Sequence, residues 1–192
     1  MRWKILSAAV LLLGAAGCCC YDRTSTLIGA SRNGDTKAVA ALIQAGAEPN
    51  RPGGVNGWPP LMHAIHKNQP QSVRTLLAMG ANPNVSGNDG TTPLMMAAGY
   101  GFEGIVRDLL DHGADPSARH PDGSTALDFA VSGVPDIDRF TVRDCQTATV
   151  RLLLERAPRL KLQNSALDGI ARALKRGRGC AELQTLLAGV NR

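Results

Sequence analysis

The chain has 192 residues, 21 Lys/Arg against 16 Asp/Glu for a net charge of +5, and only 4% aromatic residues. Its mature length of about 170 residues suits one continuous domain. Residues 1–150 hold 12 Lys/Arg against 13 Asp/Glu, whereas residues 151–192 hold 9 against 3. This basic end, centred on Arg172, Lys175, Arg176 and Arg178, carries no aromatic side chain, which argues against a nucleic-acid partner. It leaves two readings open, contact with anionic lipid or an acidic partner, and a solvated capping face.

At the N-terminus, Arg2 and Lys4 precede an apolar run of 13 residues from Ile5 to Gly17. A membrane-spanning helix needs about 20 residues. The charged start and short apolar centre instead predict a signal peptide over 1–17. The run ends in Ala15-Ala16-Gly17-Cys18. That ending resembles a bacterial lipobox, departing from it at Ala15, where Leu is preferred. The resemblance implies lipidation of Cys18, a tether over 18–23, and an exported, periplasmic, membrane-anchored lipoprotein. A tether this short reaches about 20 Å at most, which would hold the folded part against the membrane. Ordinary cleavage nearby is the alternative. It would leave Cys18, Cys19 and Cys20 as thiols in an oxidising compartment.

From residue 24 onward the chain repeats itself. Repeat 1 (24–54) carries Leu27, Ala30, Gly34, Leu42, Gly46 and Ala47. Repeat 2 (55–87) contains NGWPPLMHAIHKNQPQSVRTLLAMGANPN, and repeat 3 (88–120) contains DGTTPLMMAAGYGFEGIVRDLLDHGADPS, 33 residues later. Gly57, Gly90 and Gly123 fall in step, as do Leu61, Leu94 and Leu127, and Ala64, Ala97 and Ala130. Repeat 4 (121–158) keeps DGSTALDFA and then gains about seven residues within SGVPDIDRFTVRD (132–144). A degenerate terminal unit (159–192) shows NSALDGIARAL and LQTLL in the same order.

Each unit predicts two helices. Pro60 and Pro93 suit a first helical turn, where a missing N–H is no loss. Leu61 and Ala64, like Leu94 and Ala97, share a helix face. Val73, Leu76 and Leu77 form the apolar stripe of a second helix, as do Val106, Leu109 and Leu110. Gly46, Gly80 and Gly113 would stop those helices, and Pro49, Pro83 and Pro116 would prevent continuation.

The pattern D/N-G-x-T/P-P-L-x-x-A followed by V-x-x-L-L-x-x-G-A-D/N resembles the ankyrin repeat. The resemblance implies an all-α solenoid of four to five helix-turn-helix units with short hairpin loops, whose apolar faces are covered by stacking. It implies a monomeric, non-enzymatic module with no cofactor and no metal, binding a protein partner on a concave face. That face is built from hairpin tips and the exposed sides of first helices. It selects Trp58 and Thr91 at the hairpins, and Arg32, Asn33, His66, Lys67, Gly99, Tyr100 and Ser132 on the helices. Trp58 and Tyr100 are expected to be exposed, as binding hot spots commonly are aromatic. For Trp58 the alternative is a local plug against Pro59 and Pro60. The insertion adds Asp136, Asp138, Arg139 and Phe140 as a further contact or as a tolerated surface loop. In such a stack Cys145 and Cys180 would begin second helices of neighbouring units. The expected arrangement is a Cys145–Cys180 disulfide, and the alternative is two separate core cysteines.

Signals for catalysis are weak. Gly99-Tyr-Gly-Phe-Glu-Gly104 matches a dinucleotide fingerprint literally, but it follows a predicted helix where the fingerprint requires a strand. His63 and His66 lie three apart with no third ligand of suitable spacing, and a zinc site needs three or four. His66 is expected to face the groove and His63 to pack. No nucleophile-elbow, zincin or paired Cys-x-x-Cys motif is present. The expected function is protein binding at the bacterial envelope, as an inhibitor or immunity protein of an envelope-acting toxin or hydrolase. The alternatives are a scaffold for another envelope protein, for example in oxidative-stress defence, and a structural lipoprotein contacting anionic lipid or cell wall.

Overall fold

The computed structural model describes residues 23–54, 56–132, 146–163 and 181–188. The expected positions Cys18, Phe140, Cys145 and Cys180 lie outside the described residues, as do Arg172 to Arg178. The described elements are all helices: α1 Arg23–Asn33, α2 Thr36–Gln44, α3 Pro60–His66, α4 Pro70–Ala78, α5 Pro93–Tyr100, α6 Glu103–Asp111, α7 Ala126–Ser132, α8 Thr147–Arg156 and α9 Ala181–Leu187.

Local sequence sets the helix starts. Pro60, Pro70 and Pro93 each occupy a first helical turn. Thr92 Oγ1 accepts the Met95 N–H at 3.2 Å, a side-chain N-cap. Before α7 the bonds instead run from Thr125 to Asp128. The Thr125 N–H and hydroxyl both donate to Asp128 Oδ2, at 2.8 and 2.9 Å. Helix ends follow the predicted glycines. Gly46, Gly80 and Gly113 have φ of 93°, 85° to 89° being the range of the latter two.

The helices stack in two layers. First helices α1, α3, α5 and α7 pack in series, second helices α2, α4, α6 and α8 pack in a parallel row, and α9 closes on α8. The repeat period becomes a core ladder. Leu27, Leu61, Leu94 and Leu127 are at most 1% exposed, and Val39, Val73, Val106 and Val150 are fully buried. Burying one such side chain stabilises by about 1.5–3 kcal/mol. No single unit could hide these faces by itself, so stability depends on neighbours.

Between first helices run short hairpin loops. Their closing bonds are Gly53 N–H to Trp58 O, Gly87 N–H to Thr91 O and His120 N–H to Ser124 O, at 2.9–3.0 Å. One measure from the sequence needs correction. Val150 and Leu153 take the buried places of Val106 and Leu109, 44 residues later instead of 33. The insertion before α8 is therefore 11 residues, not about seven. The stretch repeats no motif of the other units, so only the packed position of α8 reveals its true length.

Candidate functional site: the hairpin and first-helix face

Equivalent positions form a row along the first-helix ends: Arg32 on α1, His66 on α3, Gly99 on α5 and Ser132 on α7. Arg32, Asn33 and Ser132 are exposed, and His66 and Lys67 are half-buried. These five stand where the sequence places them.

Three selected residues do not. Gly99 is buried within α5, Tyr100 is 5% exposed and Thr91 is 8% exposed, so none presents an open surface. Tyr100 turns back toward the preceding unit. Its hydroxyl lies 2.9 Å from His66 Nδ1, and its ring packs 5.3 Å from Phe102. Thr91 is consumed by its own turn. Its N–H and hydroxyl donate to the two Asp89 carboxylate oxygens at 3.0 and 2.8 Å.

Trp58 is half-buried and bridges two units. Its ring centroid is 5.7 Å from His63 and 5.3 Å from His66. Its indole edge closes over Gly87, where an added Cβ would meet Cδ1 at 2.8 Å and Nε1 at 2.9 Å. The expected alternative, a plug confined to Pro59 and Pro60, thus understates its reach. The result is a continuous line of rings, His63, Trp58, His66, Tyr100 and Phe102, crossing from repeat 2 into repeat 3.

The line is polar underneath. Trp58 Nε1 and His63 Nε2 are buried without a hydrogen-bond partner. Burial pushes His63 below its ordinary range, the positive charges of Arg32 and His66 push the same way, and a hydrogen bond with the Gly53 backbone opposes them. The charge of Arg32 on α1 thus acts on His63 of α3 across the seam.

Sequence reasoning left out Phe102 and treated His63 only as packing. The spacing of His63 and His66 was visible, but the cross-unit aromatic contacts require folded neighbours. Gly99, the first glycine of the apparent dinucleotide fingerprint, lies inside α5, and its carbonyl accepts Gln146 Nε2–H at 2.8 Å. Gly101 forms the left-handed turn after α5 and Gly104 lies in α6. No strand precedes them, and the phosphate-cradling geometry is missing. Among the described residues no group of three or more His, Cys, Asp or Glu could hold a metal ion. None of the described helices is long and apolar enough to cross a membrane.

No curated protein matches this sequence. The family model described as "Ankyrin repeats (3 copies)" matches residues 4–87 and 79–164, most of the chain. With the 33-residue period, the two-layer helix stack and the hairpin turns, the chain belongs to the ankyrin-repeat family.

Proposed function

We propose that this chain binds a partner protein through the first-helix ends and hairpins of repeats 1 to 4, without catalysing a reaction. Ankyrin repeats are generally protein–protein interaction modules. The observation that carries the reading here is the ring line flanked by exposed Arg32 and Asn33. Its side chains are held by packing before any partner arrives, so docking loses little rotamer freedom. Aromatic and Arg side chains on such a platform suit interface hot spots.

We place the module at the bacterial envelope, anchored by a lipid on Cys18, and assign it the role of inhibitor or immunity protein for an envelope-acting toxin or hydrolase. The support for the location is the charged start, the short apolar run and the Ala16-Gly17-Cys18 ending. Replacing Cys18 with Ser should move the protein from the membrane to the soluble fraction. Unchanged fractionation overturns the anchor.

The binding claim is tested by crosslinking the tagged protein in its own host. Asn33→Trp/Ser132→Trp obstructs the face at two exposed positions without changing its charge. A specific partner captured by the parent chain, lost in this variant and inhibited by the purified chain supports the proposal. A partner retained by the variant, or no partner at all, refutes it.

A further inference from the structure

The electrostatics of this face are one-sided. Helices α1, α3 and α5 contain no Asp or Glu. Arg32 and His66 occupy the same register one unit apart, His63 lies behind them and Lys67 beside them. Toward the other end the same register holds Gly99 and Ser132, so among the described residues the positive side chains of this register belong to repeats 1 and 2. Among the described residues, the carboxylates on neighbouring elements are already engaged or lie apart. Asp35, beside Arg32, accepts the Ala38 N–H. Asp128 of α7 is buried and bonded to Thr125 and to the Gln163 N–H. Asp89 is held by Thr91. On α4, which packs against α3, Arg74 pairs with Asp108 of α6. Glu48 and Arg51 sit exposed in the loop after α2. The charges that lower His63 are those of Arg32 and, once it is protonated, His66.

We infer that the occupant of this face is an acidic segment of the partner protein, with a carboxylate seated at Arg32 and His66 beside the Trp58 ring and His63 behind them. The inference rests on the protein-binding reading above and adds the partner's chemistry to it. A carboxylate there supplies the negative charge that the surrounding helices lack, and its bonds to Arg and protonated His are of the stronger, charge-assisted kind. Arg32 remains charged throughout, so it carries the contact at neutral pH. The histidines add to it on protonation, which the incoming carboxylate itself favours. Complex formation therefore takes up protons and tightens as pH falls through the histidine range.

The test uses the full chain with Trp3→Phe, so that Trp58 is the single tryptophan. Its emission is followed during titration with a short peptide of alternating Glu and Gly, a Lys-Gly peptide, and phosphatidylglycerol vesicles. Titrations are run at about pH 5.5 and about pH 7.5, either side of the ordinary histidine value. The expected result is saturable quenching by the Glu peptide alone, tighter at the lower pH. Arg32→Ala should weaken it about tenfold. His66→Gln should remove most of the pH dependence while circular dichroism stays unchanged. Equal response to both peptides, indifference to Arg32→Ala, or tighter binding at the higher pH overturns the inference. Vesicles that reproduce the Arg32-dependent quenching overturn it as well, assigning the seat to lipid. A crosslinked partner that survives Arg32→Glu but is lost in Asn33→Trp/Ser132→Trp leaves protein binding standing and removes only the acidic segment.

Discussion

The seams between repeats 1 and 2 and between repeats 2 and 3 are joined differently from the seam between repeats 3 and 4. At the first, Asn50 accepts the Asn82 N–H at 2.7 Å and donates to the Gly80 carbonyl at 3.1 Å. At the second, Asn84 accepts the Asp115 N–H at 2.8 Å and donates to the Gly113 carbonyl at 2.9 Å. The next residue in that series is Ser117, whose hydroxyl turns back to Asp115 in its own loop. The asparagine ladder ends there. Repeat 4 is instead held by scattered contacts: Gln146 to Gly99 O, and Arg156 to Asp111 at 2.8 Å. Periodic sequence thus gives periodic bonding, and where the period breaks the chain substitutes individual side chains. The ring line of the proposed binding face lies on the regularly joined part.

The largest expected effect tests whether the stacked core dominates both kinds of seam. Leu94→Ala, at a residue 1% exposed in the middle of the ladder, should destabilise by about 3–4 kcal/mol. Leu187→Ala, 9% exposed on α9, should cost clearly less in the same chemical denaturation experiment. Equal losses would mean that the terminal unit is as deeply integrated as repeat 3.

Next comes the hairpin stack. Gly90 has φ of 85°, and an added Cβ would stand 2.5 Å from Pro121 Cδ of the following hairpin. Gly90→Ala should therefore cost about 2 kcal/mol, combining left-handed strain with a shift of the next loop. A melting temperature unchanged from the parent would show that the hairpins slide past one another freely.

The comparison itself is sharpened by Asn84→Ala against Ser117→Ala. The first removes two bonds across a seam and should cost about 1–2 kcal/mol. The second removes a local bond in an exposed loop and should fall within about 0.5 kcal/mol of the parent. Equal costs would dissolve the distinction between the seams.

The smallest effect is the pH response at the Arg32–His63 seam. Burial, with Arg32 and His66, lowers the folded-state value of His63. The unfolded chain then binds the proton more readily. Stability from this group is complete above about pH 6.5 and is lost as pH falls through the lower folded value. His63→Gln should flatten that part of the stability profile, measured as denaturation midpoint against pH. An unaltered slope would assign the titration elsewhere.

The sequence alone determined the architecture. A 33-residue period carrying Leu61, Leu94 and Leu127 can bury its leucines only by stacking, and local chemistry at Pro60, Pro93, Gly80 and Gly113 places the helix ends without distant help. Exposure at first-helix ends was also legible for Arg32, Asn33 and Ser132, because register within one repeat fixes which side of a helix faces out. Tertiary structure alone decided the fate of the larger polar side chains. Tyr100 shares the register of Asn33 and Lys67, yet it is buried because His66 lies one unit away at hydrogen-bonding distance. Trp58 joins repeats because Gly87 in the next hairpin leaves room for an indole edge. The length of the insertion before α8 likewise emerged only from where Val150 packs. Periodicity reports what every unit shares, whereas these contacts depend on which residue the neighbouring unit happens to bring.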